Sequence, residues 1–144
     1  MGEASGSESI TINAPLDTVL AAVIDLPGQV DWFPGLISCE VTEVDEYDRP
    51  TSAHQVNDLK LAKDEFDLLY EHSDDGMSWS LAAPSMAQKK STGSWVLEDL
   101  GDSTRATLAL SVDPAIPLPG FLVKKSMKDT LSGATKGLKR YCEG

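Results

Sequence analysis

The chain has 144 residues, 41% of them hydrophobic, and a formal net charge of -11. That is the length of one domain with a substantial core, and the acidic balance excludes a nucleic-acid partner, because phosphate binding draws on a basic surface. The sequence has no run of about 18 apolar residues, and Met1–Ser9 lacks the basic and apolar regions of a secretory signal, so the expected compartment is the cytoplasm.

Residues 1–8, rich in Gly, Ser and Glu, read as a disordered tail ahead of a single domain over 9–143. Met1-Gly2 does not complete a myristoylation signal, since Gly6 stands where Ser or Thr is needed. Ser9–Asn13 alternates as a short strand. Pro15 and Asp17 then open a helix in which Leu16, Val19, Leu20 and Val23 recur at helical spacing as far as Ile24. Asp25-Leu26-Pro27-Gly28 stops it, and Val30–Gly35 reads as a second short helical turn.

From Leu36 the period becomes two. Ile37, Cys39 and Val41 share one face of a strand that runs to Asp45, and Asp48-Arg49-Pro50 turns the chain into a second strand over Thr51–Asn57. A third strand covers Leu61–His72, with Phe66, Leu68 and Tyr70 alternating with acidic residues. Asp74-Asp75-Gly76 is a hairpin signal leading into Met77–Leu81, and Ala82–Gln88 is a loop. Strands over Lys90–Glu98 and Thr104–Val112 follow, joined at Gly101-Asp102 and ended by Pro114 and Pro117.

A long helix then runs to about Tyr141, with Val123, Met127, Leu131, Ala134, Leu138 and Tyr141 on one face. So narrow a stripe needs a broad apolar partner, and the strands supply it as one strongly bent antiparallel sheet, giving an α+β fold. The helix is also the one basic element: residues 118–144 hold six of the twelve Lys and Arg, near +4 against about -15 for the remainder.

Cys39 and Cys142 form neither a disulfide framework nor a metal spacing, and His54 and His72 fall on separate strands, so neither a metal nor a cofactor is expected. Of the polar groups that could serve catalysis, Tyr70, His54, Asp64 and Arg105, alternation turns Arg105 outward. His54 has no orienting partner visible in sequence. No catalytic residue is assigned, and the reading leans away from an enzyme.

Ile10–Val19, Trp32-Phe33-Pro34, Gly93-Ser94-Trp95, Val112-Asp113-Pro114 and Pro117–Leu122, in this order, resemble the START-like (SRPBCC) superfamily, and within it the polyketide cyclase/dehydrase and coenzyme Q-binding branch. The resemblance covers about residues 8 to 142. It implies a helix-grip fold: a seven-stranded curved antiparallel sheet around a long C-terminal helix, with two short helices after the first strand and an apolar cavity between sheet and helix. Trp32, Phe33, Phe66, Leu68, Tyr70, Met77, Trp79, Trp95, Leu108, Val123 and Met127 are then the expected ligand-binding residues.

The expected function is to bind or carry a hydrophobic small molecule, such as a lipid, an isoprenoid quinone or a polyketide-like aromatic, in that cavity. A polyketide cyclase or aromatase using the same cavity and a regulatory protein-interaction module are the alternatives. The basic helix with Phe121 and Leu122 offers a membrane contact.

Overall fold

Two bends decide this fold: that of the sheet, and that of the chain where it passes beneath the last helix. A computed structural model describes residues 3–60 and 62–144. Its elements are β1 Ala4–Ile12, α1 Leu16–Ile24, a short 3₁₀ helix Pro27–Asp31, β2 Leu36–Val44, β3 Pro50–Asp58, β4 Lys63–Ser73, β5 Gly76–Leu81, β6 Gln88–Asp99, β7 Thr104–Pro114 and α2 Gly120–Glu143. All seven strands lie in one antiparallel sheet of order β1-β7-β6-β5-β4-β3-β2. From β2 onward each strand pairs with its successor, while β1 joins the far edge beside β7. The sheet curls so that one face surrounds α2, which is the helix-grip fold.

The N-terminal expectation is corrected. Ser5–Glu8 are ladder residues, not a tail, with Ala4 opposite Val112 and Gly6 opposite Leu110. Composition misleads here because the stretch has few apolar side chains, yet its backbone groups complete the hydrogen bonding of β7, and Gly6 lets Leu131 of α2 come close. Met1, Gly2 and Leu61 lie outside the described residues, so the expected strand start at Leu61 is not among them.

Two further expectations shift. The short helical turn sits at Pro27–Asp31 rather than 30–35, because Pro27 presets φ at its first turn. In β2, Ile37 is exposed while Leu36 and Cys39 are buried: a register shift between Leu36 and Ser38 breaks the alternation that would place Ile37 with Cys39.

Inward positions of β4, β5, β6 and β7 are filled by Tyr70, Met77, Trp95, Leu97, Ala106 and Leu108, and α1 closes one end of this core with Val19 and Val23. α2 meets the core mainly through its C-terminal half, where Leu131, Ala134, Thr135, Gly137 and Leu138 are buried. A Cβ on Gly137 would lie 2.3 Å from the Trp32 carbonyl oxygen, and one on Gly133 2.7 Å from the Pro34 ring. Trp32 in turn stands edge-on to Trp95, with ring centroids 5.9 Å apart. The two glycines therefore seat the chain segment 32–34 directly against the helix.

Gly137→Ala should accordingly destabilise the fold by about 1–3 kcal/mol, since backbone must move. The ~1 kcal/mol gained in helix propensity offsets only part of that. Thermal melting of the two proteins decides it, and an unchanged or raised midpoint would refute the close approach.

On the outer face, His54 of β3 sits between Asp67, 2.8 Å from Nδ1, and Glu65, 3.0 Å from Nε2, both on β4. These two carboxylates raise its pKa from the ordinary 6.5, Asp67 contributing most. A raised folded-state value means that the stabilisation is complete below the unfolded pKa and fades as pH climbs through the folded one. The melting-temperature advantage of the native chain over His54→Gln should therefore be largest at about pH 5–6.5 and vanish at alkaline pH. Melts across that range measure it, and an advantage that grows with pH would contradict the pairing.

Candidate functional site

Where α2 is held close by its glycines the interior is solid, and toward its N-terminus the interior opens. A cavity of about 820 Å³ lies between the first three turns of α2 and the concave face of β3, β4 and β7. That volume falls within the ~300–1,000 Å³ of ligand pockets. Val123, Ser126, Met127 and Thr130 form its helical wall, while Phe66, Leu68, Tyr70, Trp79 and Leu110 form much of its sheet wall.

Alternation along β4 aims Asp64, Phe66, Leu68 and Tyr70 into this one space. Six residues of strand span ~20 Å, so the cavity is elongated along β4. Trp79 lies flat over Gly93, its partner across β5 and β6, where an added Cβ would stand 2.2 Å from the indole. Gly93 is there for that close approach.

Each end of the row carries polar groups. At the inner end, Gln55 Nε2 donates to Tyr70 Oη at 2.7 Å, and the same nitrogen lies 3.5 Å from Cys39 Sγ. Burial raises the Tyr70 pKa and pushes the Cys39 thiol up to about 11. Both stay protonated at neutral pH, so Tyr70 is a neutral hydroxyl that accepts from Gln55 and turns its own proton toward the Cys39 sulfur, a weak acceptor. At the other end, Asp64, 2% exposed, accepts from Ser85 Oγ at 2.9 Å, Gln88 Nε2 at 3.0 Å and the Ala87 amide at 3.3 Å. It fastens the loop between β5 and β6 to the start of β4.

Of the eleven ligand-binding residues expected from sequence, Phe33, Phe66, Leu68, Tyr70, Trp79, Val123 and Met127 line the cavity. Trp32, Met77, Trp95 and Leu108 do not: they are buried in the packed core, where α1 and the C-terminal half of α2 fill the bowl. His54 and Arg105 lie on the outer face, Arg105 paired with Glu98 at 2.8 Å. Sequence reasoning missed Gln55 and Gln88. Gln55 was within reach, because Ala53, Gln55 and Asn57 are one alternating set on β3, and a polar residue on an inward face signals a site.

The family model described as polyketide cyclase/dehydrase and lipid transport matches residues 3–143. No curated protein matches the chain in sequence. Among solved structures, a START superfamily protein from Mycobacterium smegmatis superposes with a TM-score of 0.87 at 22% identity, over 96% of this chain and 97% of that one. The Zhui aromatase/cyclase from a Streptomyces species gives 0.80 at 12% identity, over 98% and 94%. A Thermus thermophilus protein gives 0.76 at 21% identity, over 97% of each chain. These likenesses establish the shared fold.

Removing the Asp64 carboxylate leaves three donors without their acceptor. Asp64→Ala should cost about 1–3 kcal/mol and speed hydrogen exchange at Ala87 and its neighbours far more than elsewhere. Exchange mass spectrometry reads this directly, and uniform protection across residues 84–88 in the variant would rule out the fastening.

Proposed function

The chain belongs to the polyketide cyclase/dehydrase and lipid transport family, and from that premise we propose that it binds and carries an elongated hydrophobic small molecule with an oxygen acceptor at its inner end. One observation carries this reading: a long apolar cavity ends at a neutral hydroxyl that Gln55 orients and whose proton meets, within the protein, only the Cys39 sulfur, an acceptor weak enough for a ligand oxygen to displace. Apolar burial supplies affinity at about 25 cal/mol per Å² before ordering costs, and the Tyr70 hydroxyl adds direction. A carbonyl or ether oxygen suits that donor, as in a quinone, an ester or a fatty acyl group. An ionised headgroup would be stranded there.

A cyclase reading draws support from the second polar group, since Asp64 and Tyr70 both open onto the cavity. It asks for a group that moves a proton near neutral pH. Tyr70 is raised away from that range, and Asp64 already accepts three hydrogen bonds from its own loop. Carriage uses what these groups offer, a fixed donor and a fixed wall.

The purified protein mixed with a panel of fatty acyl esters, quinones and aromatic polyketides should show a one-to-one adduct in native mass spectrometry. Tyr70→Phe should weaken a carbonyl-bearing ligand by about two- to tenfold while leaving a hydrocarbon analogue unchanged. Met127→Trp, which fills the cavity from the helix side, should weaken both. A native chain that takes up none of the panel, or a Tyr70→Phe loss equal for both ligand types, overturns the proposal.

A further inference from the structure

In an antiparallel sheet alternate connections fall at opposite ends. Here the β3–β4, β5–β6 and β7–α2 connections share the end where the cavity opens, and the β2–β3, β4–β5 and β6–β7 turns share the other. The open end is apolar at its edge: Leu59, Met86, Ile116 and Leu118 line the cavity and are also exposed, one or two from each connection. Phe121, 72% exposed in the first turn of α2, extends this rim together with Leu122.

Charge follows the same axis. Residues 58–63, 84–90 and 113–128, which carry the rim, hold seven of the chain's twelve Lys and Arg and only two of its 23 acidic residues. All seven lysines are exposed, and among the described residues only Lys125 is ion-paired, with Asp129 at 2.8 Å. The opposite turns carry Asp45, Glu46, Asp48, Asp74, Asp75, Asp99 and Asp102. A chain of net charge -11 thus has a basic, greasy mouth and an acidic base, and the positive end of the α2 dipole adds to the mouth.

We propose that the cavity mouth docks on an anionic lipid bilayer, the Leu118–Leu122 rim entering the interface while Lys60, Lys63, Lys89, Lys90, Lys124 and Lys128 face lipid headgroups. A bilayer offers anionic surface and apolar depth in the order this mouth presents their complements, and its field repels the acidic base, which orients the approach. The inference rests on the carrier reading, for which such docking provides a dry route for apolar cargo.

The test is co-sedimentation with phosphatidylcholine vesicles, with and without phosphatidylglycerol. The native chain should bind only the anionic vesicles, and less so as salt rises. Leu118→Ser with Phe121→Ser, and separately Lys124→Glu with Lys128→Glu, should each weaken binding by about tenfold or more. Val96→Ser on the outer face and Lys136→Glu near the far end of α2 should change it by less than about twofold. All these positions are solvent-facing, and matched melting curves verify folding. Equal binding to both vesicle types, no binding to either, or controls as damaging as rim variants would overturn the proposal. So would a rim that proves to join two copies, seen as a dimer that the Leu118/Phe121 variant splits. Uptake of a fluorescent fatty acyl ester from solution separates the two readings: uptake without vesicle binding sinks docking alone, and vesicle binding without uptake sinks carriage alone.

Discussion

The cavity depends on how α2 is held. A helix of 24 residues is a rod of ~36 Å and does not follow the curve of the sheet. Gly133 and Gly137 let segment 32–34 press against its C-terminal half, and Thr135 Oγ1 shares its proton between the Leu131 carbonyl of its own helix at 2.9 Å and the Glu8 carboxylate of β1 at 3.0 Å. With that half clamped, the rod leaves the bowl at its other end. The space beneath Val123 and Met127 is therefore a consequence of packing elsewhere, and the four aromatic or aliphatic residues expected to hold ligand, Trp32, Met77, Trp95 and Leu108, are instead what makes the clamp solid.

The same division sorts the polar groups. Side chains near the clamp are neutral or paired within the protein, and although Trp32 Nε1 and Trp95 Nε1 are buried without an acceptor, both indoles are sealed in the packed core and do not line the cavity. Those along β4 occupy the open half, and their chemistry is graded. Tyr70, deepest in the row, is neutral and turns its proton to no stronger acceptor than the Cys39 sulfur, whereas Asp64, nearer the loop, spends its acceptors on Ser85, Ala87 and Gln88. A charged carboxylate can stand beside an apolar cavity because its own loop solvates it, and this keeps the wall rigid without giving the cavity a strong ionic site.

Much of this was legible in the sequence, and the limits have physical causes. Period-two alternation located β2 to β7, because each strand buries one face, and a 3.6-residue stripe located α2. The β1 start escaped notice since edge pairing through backbone groups leaves no mark on composition. Ile37 was misplaced because a bulge shifts phase without changing residue type. The site was harder still. An inward aromatic looks the same in sequence whether its outer side meets another side chain or empty space: Trp95 packs against Trp32, whereas Trp79 faces the cavity. Gln55 is the instructive case: a polar residue amid inward positions is a signal that periodicity carries, once the strand's phase is known.

Strand order adds a last consequence. Because successive connections in the meander alternate between the two ends, residues ten to twenty apart in sequence are delivered to opposite ends of the molecule, and every second connection to the same one. Lysines at 60, 63, 89, 90, 124, 125 and 128 thereby collect at the mouth, while aspartates at 45, 48, 74, 75, 99 and 102 collect at the base. Net charge alone, at -11, argues for repulsion from any anionic surface, yet at the ~8 Å screening length of physiological salt only the nearest charges act. What approaches first decides the encounter, and topology rather than composition determines which charges those are.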